Sequence, residues 1–419
     1  MMHRILRLPA IAGMWIAGGL ATGSGTIGLL AQEVVDLPEQ DLRLSTDFEL
    51  VYRIGSTEAD AEWEEFFTIR SVGFDGAGNL YLLDGAGTDG GRRVVVADAA
   101  GSHAGDFGRP GDGPGEFQMA MELIVWDDGR TLVRDMMRGY HVFGPGGEFE
   151  RTVREAGQGI GLGTRAGLRP ERTGSRTVVV RDERSILRID MSSAEVEDRV
   201  LVEGWAPRAP TELPVGADFE DVLDMMGDEW GFEPELLFDP LPSGGVAFSD
   251  SSAYAIKVTD SSGRVSHILR RAIRPLPVTE RMRRTERERR LQREANRQVT
   301  QLGGGGEPPL EIREMFNRFG ATRRAALENM RFYPEVPVVA AVHATWEGSL
   351  WVQRSTEPGT SESGPIDVLA EDGRYVGTFP VGRLEMPDAF GPDGLAVFVE
   401  TDEFDVPVIT VRRLPEQIR

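Results

Sequence analysis

A repeat constrains this chain more than any other feature. A short apolar strand, a Gly/Asp turn, a second apolar strand ending in a polar residue, a third strand, a turn and a fourth strand recur along most of its 419 residues. The first copy is Ile69-Arg-Ser-Val-Gly-Phe74, Asp75-Gly-Ala-Gly-Asn79, Leu80-Tyr-Leu-Leu-Asp84 and Arg93-Val-Val-Val-Ala97. The second is Leu123-Ile-Val-Trp126, Asp127-Asp-Gly129, Thr131-Leu-Val-Arg-Asp135 and Tyr140-His-Val-Phe143. Later copies carry Thr177–Asp182, Gly245–Asp250, Ser349–Arg354 and Gly394–Glu400. Apolar runs of this length between Gly/Asp turns read as strands and hairpins.

The second-strand ends give the period. Asp84, Asp135 and Asp182 are 51 and 47 residues apart, and Arg354 and Glu400 are 46 apart. The two longer intervals, 68 to Asp250 and 104 from there to Arg354, hold insertions. Setting aside residues 276–332 brings the longer one back to 47. Six units of about 47 residues fit the blade of a four-stranded propeller. A small sheet buries both faces only by stacking against its neighbours around an axis. The expected fold is therefore all-β, a six-bladed β-propeller over residues 48–419, with an α-helical hairpin insertion (276–332) between blades 4 and 5. The last unit, Met386 to Leu414, supplies three strands. Phe48–Ile54 reads as the missing outer strand and is expected to pair with Val408–Arg412, closing the ring.

Composition agrees. Hydrophobic residues are 40%, enough for a core, and 51 Gly with 25 Pro make a turn-rich chain. The net charge of −22 argues against nucleic acid as a partner, because phosphate neutralisation needs clustered cations. The absence of cysteine rules out disulfides, thiolate zinc sites and a cysteine nucleophile. Residues 1–31 have the three-part layout of a secretory signal peptide: Arg4 and Arg7 without an acid, apolar Leu8–Ala21, and a cleavage site at Leu29-Leu30-Ala31. Residues 32–47 read as an N-terminal linker. The expected location is secreted or periplasmic, with membrane contact only through an uncleaved N-terminus.

The segment Phe107-Gly-Arg-Pro-Gly-Asp-Gly-Pro-Gly-Glu-Phe117, followed by strand, Asp-Gly turn and strand, resembles the inter-blade signature of NHL-repeat six-bladed propellers. The resemblance is clearest in the first two blades. It implies the fold, while that fold hosts binders, lyases and lactonases alike.

Two insertions interrupt the rhythm. In the first, from Gly204 to Glu233, Asp218–Gly227 reads as one short capped helix. In the second, Val278–Leu302 carries a thin apolar stripe at Val278, Met282, Leu291, Ala295 and Val299. Gly303–Gly306 forms a joint, and Glu307-Pro-Pro309 opens a second helix with Ile312, Met315, Phe316, Phe319, Leu327 and Met330 inward. From Arg270 to Arg331 there are 16 Arg and 8 Glu, a basic arm on an acidic body. It reads as a solvated helix pair docked partly by charge, or as a lid on the channel or a docking arm for an acidic partner.

Specific chemistry is sparse. Gly108–Gly115 lacks the Gly-Lys-Ser/Thr of a phosphate loop and reads as an inter-blade turn. Asp75–Asn79 lacks the alternating acids of a calcium loop and reads as a hairpin. Asp84, Asp135, Asp182 and Asp250 recur at one blade position, which predicts hydrogen bonds to turn backbone. Trp126, Trp346 and Trp351 read as packing between blades. Of five histidines only His343, in Val338-Val-Ala-Ala-Val-His-Ala344, falls on an innermost strand, where it is expected to line the channel. Zinc normally needs three or four ligands around one point, so histidine spacing disfavours the peptide-amidating lyase type. The acid-plus-asparagine calcium set of lactonase-type propellers has no counterpart among Asn79, Asn296, Asn317 and Asn329. No cofactor is expected, with calcium left open by the abundant carboxylates. The expected function is an exported, non-enzymatic binding or scaffold protein with an unknown protein or small-molecule ligand. The alternative is a metal-dependent, lactonase-like hydrolase or lyase with a carboxylate site at the channel mouth.

Overall fold

A computed structural model describes residues 32–57, 61–85, 93–136, 138–153, 165–172, 176–193, 197–206, 229–302 and 310–419. The expected signal peptide, the Asp218–Gly227 helix and the Gly303–Gly306 joint lie outside these residues.

Six antiparallel sheets follow one another along the chain. Four begin at Ile69, Ala120, Arg165 and Val339 and take four consecutive strands each, ending at Phe107, Val153, Glu203 and Phe379. The fourth blade, Leu237 to Arg271, has its four strands plus a fifth from the N-terminus. The sixth is Ala389–Phe390, Leu395–Thr401, Pro407–Arg413 and the early strand Glu49–Ile54. That early strand runs antiparallel to the last one, from Glu49 opposite Arg413 to Ile54 opposite Ile409. The ring is closed as the sequence predicts.

Strand alternation explains the uninterrupted apolar runs, since successive side chains point to opposite faces. Leu80 and Leu82 of blade 1 pack with Leu395, Val397 and Ile409 of blade 6. Tyr81 and Leu83, between them, pack with Leu123, Val125 and Val133 of blade 2. Separate clusters fill the remaining joins: Ile124 and Leu132 with Val178 and Val180, Val179 and Ile186 with Val246 and Phe248, Ile256 and Leu269 with Val342 and Val352, Trp351 and Val368 with Ala396 and Phe398. Every blade thus has two dry faces. Burying a Leu or Val side chain contributes about 1.5–3 kcal/mol, so the core lies in the joins.

Three of the recurring aspartates tie their blades to the chain segment entering them. Asp84 Oδ1 accepts the N–H groups of Phe67 and Thr68, both at 3.1 Å. Asp135 Oδ2 accepts those of Gln118 and Met119 at 2.7 and 2.8 Å. Asp250 Oδ2 accepts that of Trp205 at 2.9 Å and also pairs with Lys257.

Residues 32–47, read as a linker, are structured. Glu33–Leu37 adds a parallel fifth strand to blade 4, from Glu33 opposite His267 to Leu37 opposite Arg271. The chain then crosses blade 5, where the Leu44 N–H donates to Thr378 O at 2.9 Å and the Thr378 N–H to Leu42 O at 2.7 Å, before joining blade 6. The exposed outer edges of these sheets offer free N–H and C=O groups, which a polar, extended segment can pair with. Arg271 fastens this strap. Its side chain is fully buried; Nη1 meets Asp367 at 2.9 Å, Nη2 meets Asp41 at 2.7 Å, and Nε donates to Pro38 O at 2.7 Å.

The insertion forms helices Glu280–Leu302 and Leu310–Glu328, rooted by Leu276–Pro277 pairing with Glu335–Val336. Met282, Leu327 and Met330 are buried as the stripe predicts, while Ala295 faces solvent. In its place Glu286 and Glu294 point inward. Arg289 and Arg290 meet Glu286 at 2.6 and 2.7 Å, and Arg323 of the second helix meets Glu294 at 3.1 Å. The seam is therefore as much ionic as apolar, because a Glu in an Arg-rich environment keeps its charge: burial pushes Glu286 up, and Arg289 and Arg290 more than offset that.

Candidate functional site

The six innermost strands run in one direction around an axis, and between them lies a cavity of about 470 Å³ lined from all six blades. The ends of these strands and the first hairpin turns form one mouth; their beginnings and the blade-to-blade crossings form the other. Among the described residues, none that lines the cavity comes from the helical pair.

His343 lies on the innermost strand of blade 5 and lines the cavity, where the sequence places it. It is half-buried, open to the lumen but ringed by protein. Burial lowers its pKa below the ordinary histidine value; Asp239 opposes this and Arg169 adds to it. The imidazole is therefore neutral at neutral pH. Asp239, on the innermost strand of blade 4, is held on both oxygens: Oδ1 by Arg169 Nε at 3.1 Å and Oδ2 by the Ala344 N–H at 2.7 Å. Arg169 comes from blade 3. Three blades thus meet in one His–Asp–Arg cluster.

Arg172 closes the cluster on the hairpin side. Its guanidinium lies 4.3 Å from the centre of the Trp346 ring, and Trp346 is fixed by donating Nε1–H to Phe390 O at 2.6 Å. Burial pushes the Arg172 pKa down to about 10, against the pull of Asp239, Asp127 and Glu347. It stays cationic, and it stacks rather than pairs. Asp127 is displaced upward by burial, and Arg172 opposes that shift. At the other mouth Glu122 pairs with Arg134 at 2.9 Å, and Asp388 accepts the Val399 N–H at 2.7 Å.

The other described histidines stay away from the axis. His141 is fully buried on a third strand, 3.0 Å from Thr152 Oγ1; His103 stacks on Trp63 and His267 is exposed on a fourth strand. Trp126 and Trp351 are buried between blades and donate to Thr177 O and Ile418 O, both at 3.0 Å. Trp346 differs in carrying Arg172. Asp75–Asn79 is a hairpin in which Asp75 Oδ1 accepts the Ala77 and Asn79 N–H groups. Gly108–Gly115 lies between blades 1 and 2, with Glu116 accepting the Gly113 N–H at 2.7 Å. Among the described residues no group of three or more His, Asp or Glu side chains is placed to hold a metal ion. Arg169, Arg172 and Asp239 went unread in the sequence. The pattern Arg169-Pro170 and Asp239-Pro240, a charge followed by proline at matching strand ends, is the signal that could have found two of them.

Six radially stacked sheets with an axial cavity define a six-bladed β-propeller. Several solved structures are similar to the chain. A member of the duf4221 family from Bacteroides vulgatus aligns with a TM-score of 0.50 and 13% identity, over 90% of this chain and 99% of that one. A Bacteroides fragilis protein described as a candidate exported protein aligns with a TM-score of 0.48 and 11% identity, over 91% and 100%. Regucalcin from Agrobacterium tumefaciens, a calcium-binding protein, aligns with a TM-score of 0.37 and 10% identity, over 91% and 97%. No protein-family model and no curated protein matches the chain. Among the described residues no helix is long and apolar enough to cross a membrane.

Proposed function

We propose that the protein is an exported, non-enzymatic binding propeller of the NHL-like kind that takes a small ligand into its axial cavity. The observation that carries this reading is Arg172: a cation laid on Trp346, lining the cavity, with no hydrogen bond to its guanidinium among the described residues. A planar guanidinium of this sort suits a carboxylate or similar anionic group on a ligand. Asp239, Glu122 and Asp388 are already engaged by arginine or backbone, which suits a rigid binding wall better than acid–base work. Export rests on the layout of residues 1–31.

His343 supports a second reading, a hydrolase or lyase. Its neutral imidazole faces the lumen beside Asp239, as a general base would. The metal-dependent form of that reading, calcium included, needs convergent ligands that the described residues do not supply.

A thermal-shift panel of small carboxylates, amines and zwitterions, run on the protein and on Arg172→Gln and His343→Gln, tests both. A ligand whose stabilisation disappears in Arg172→Gln supports binding. Turnover of a lactone or ester that vanishes in His343→Gln would replace it with the second reading. Ligand shifts indifferent to both substitutions would sink the axial site.

A further inference from the structure

One rung of the axial cavity has two unlike halves. The last but one residue of each innermost strand is, from blade 1 to blade 6, Gly73, Ile124, Arg169, Asp239, His343 and Ala389. In every blade the residue just after that strand donates its N–H across the hairpin, so the six sit at one depth. All six line the cavity. Blades 3, 4 and 5 therefore contribute a polar half, Arg169, Asp239 and His343. Blades 6, 1 and 2 contribute an apolar half, Ala389, Gly73 and Ile124. Gly73 also leaves no room for a side chain, because a Cβ there would sit 2.9 Å from Val125 Cγ2. The next residue on every strand, from Phe74 in blade 1 to Phe390 in blade 6, is Phe, Val, Pro or Ala, so the polar half is bordered by apolar wall on its hairpin side.

Within the polar half, two of the three groups hold each other. Asp239 takes Arg169 on one oxygen and the Ala344 N–H on the other, and Arg169 Nη1 donates to Leu168 O at 3.0 Å. His343 differs: among the described residues its imidazole makes no hydrogen bond. A neutral imidazole offers one donor and one acceptor nitrogen. An anionic group beside it would meet the Asp239 carboxylate, and a cationic one the Arg169 guanidinium, so a neutral dipole fits best. Across the lumen the apolar half offers a polar group no partner, and burying such a group unpaired is costly.

We propose that the axial ligand is an amphipathic carboxylic acid, with its carboxylate at Arg172, an apolar body against Ala389, Gly73 and Ile124, and a neutral hydroxyl or amide read by His343. This rests on the axial-binding reading and adds to it the class of the ligand and the residue that sets its specificity. Small-molecule sites are mostly apolar with a few placed polar groups that fix orientation, and a site that hydrogen-bonds a ligand hydroxyl discriminates against the analogue that lacks it.

Calorimetric titration of the full chain with phenylacetate, its three ring-hydroxylated isomers and succinate tests the proposal. At least one hydroxylated isomer is expected to bind roughly three- to tenfold tighter than phenylacetate, the net effect of one hydrogen bond. Succinate, with two anionic ends and no apolar body, should bind about tenfold or more weaker than phenylacetate. In His343→Leu the affinity ratio of the hydroxylated acid to phenylacetate should fall to about one, and in His343→Gln, which keeps a donor and an acceptor, part of it should remain. Taking the ratio within each variant cancels any general loss of fit. Ala389→Leu, which fills the apolar half, should weaken both aryl acids together. Aryl acids that bind through Arg172 with no preference for any hydroxylated isomer, a preference that survives in His343→Leu, or succinate binding as tightly as phenylacetate would overturn this inference and leave the axial reading standing. Binding of none of the acids would overturn both.

Discussion

Arg271 offers the sharpest test of how the ring is held. Its guanidinium is wholly buried between blades 4 and 5, with the Tyr375 ring 4.7 Å below it. Arg271→Met keeps the apolar stem and deletes the charge, leaving Asp367 buried. Breaking a buried pair by removing one partner costs about 3–5 kcal/mol. Here Asp367 keeps the Thr378 hydroxyl at 2.6 Å and Arg354 at 3.5 Å, which places the loss at the lower end, about 3 kcal/mol. The Asp41 pair adds little, since that carboxylate is half exposed and such pairs contribute at most about 1 kcal/mol. Urea unfolding followed by tryptophan fluorescence gives the number as the midpoint shift multiplied by the slope. The double variant Arg271→Met/Asp367→Leu should recover part of the loss, because an apolar pair has no stranded charge. The strap should also loosen in the single variant, so trypsin should cut faster after Arg43. A single-variant loss under about 1 kcal/mol, or a double variant less stable than the single by another full increment, would refute this account of the Arg271 site.

Four further outcomes are expected. Asp135→Ala strips acceptors from the Gln118 and Met119 N–H groups and should cost about 2–3 kcal/mol in the same urea assay, with Asp135→Asn milder. Gly263 has φ +89° and a Cβ there would sit 2.0 Å from Leu201 O; Gly263→Ala should therefore lower stability by more than about 1 kcal/mol, read as a fall in Tm. His343 has its pKa lowered in the fold, so the unfolded chain binds its proton more readily. That penalty is absent above the unfolded value of about 6.5 and grows as pH falls below it; the stability-versus-pH slope of His343→Gln should be flatter between pH 6.5 and 5. Mass spectrometry of protein recovered outside the cytoplasm should find Gln32 at the N-terminus, and retention of residues 1–31 would mean that the segment acts as an anchor instead.

The ring was legible because its physics repeats. Strand runs such as Leu80–Leu83 and Val178–Val180 are apolar at every position since both faces are covered, and the aspartates at the ends of second strands mark the same backbone crossing again and again. The N-terminal strap escaped notice for the converse reason. Glu33–Leu37 binds an open sheet edge through its backbone, and only Val35 and Leu37 turn toward the core, too few to make a pattern. The helix stripe misled at Ala295 because charged residues were assumed to face water, whereas Arg289, Arg290 and Arg323 make an inward Glu286 and Glu294 tolerable. The axial cluster was only partly visible. His343 was found by its place on a clear innermost strand, while Arg169 and Arg172 sit in a blade whose first strand is irregular, with a register shift between Ala166 and Arg169.

Recurrence and singularity separate structure from function in a fold of this kind. Asp98, Asp260 and Asp402 each accept two backbone N–H groups within a hairpin, with Oδ1 taking those of Ala100 and Ser102, Ser262 and Arg264, and Phe404 and Val406. Asp75 repeats it. A device used four times over serves the sheets that share it, and any ligand would see it alike from blade to blade. A site that discriminates needs residues that break the symmetry. Arg172 on Trp346 occurs at one blade mouth. It keeps a cation on an aromatic ring in a chain whose net charge is −22. A guanidinium laid on an indole is a property that the ring's own stability does not require, and it is where binding should be sought.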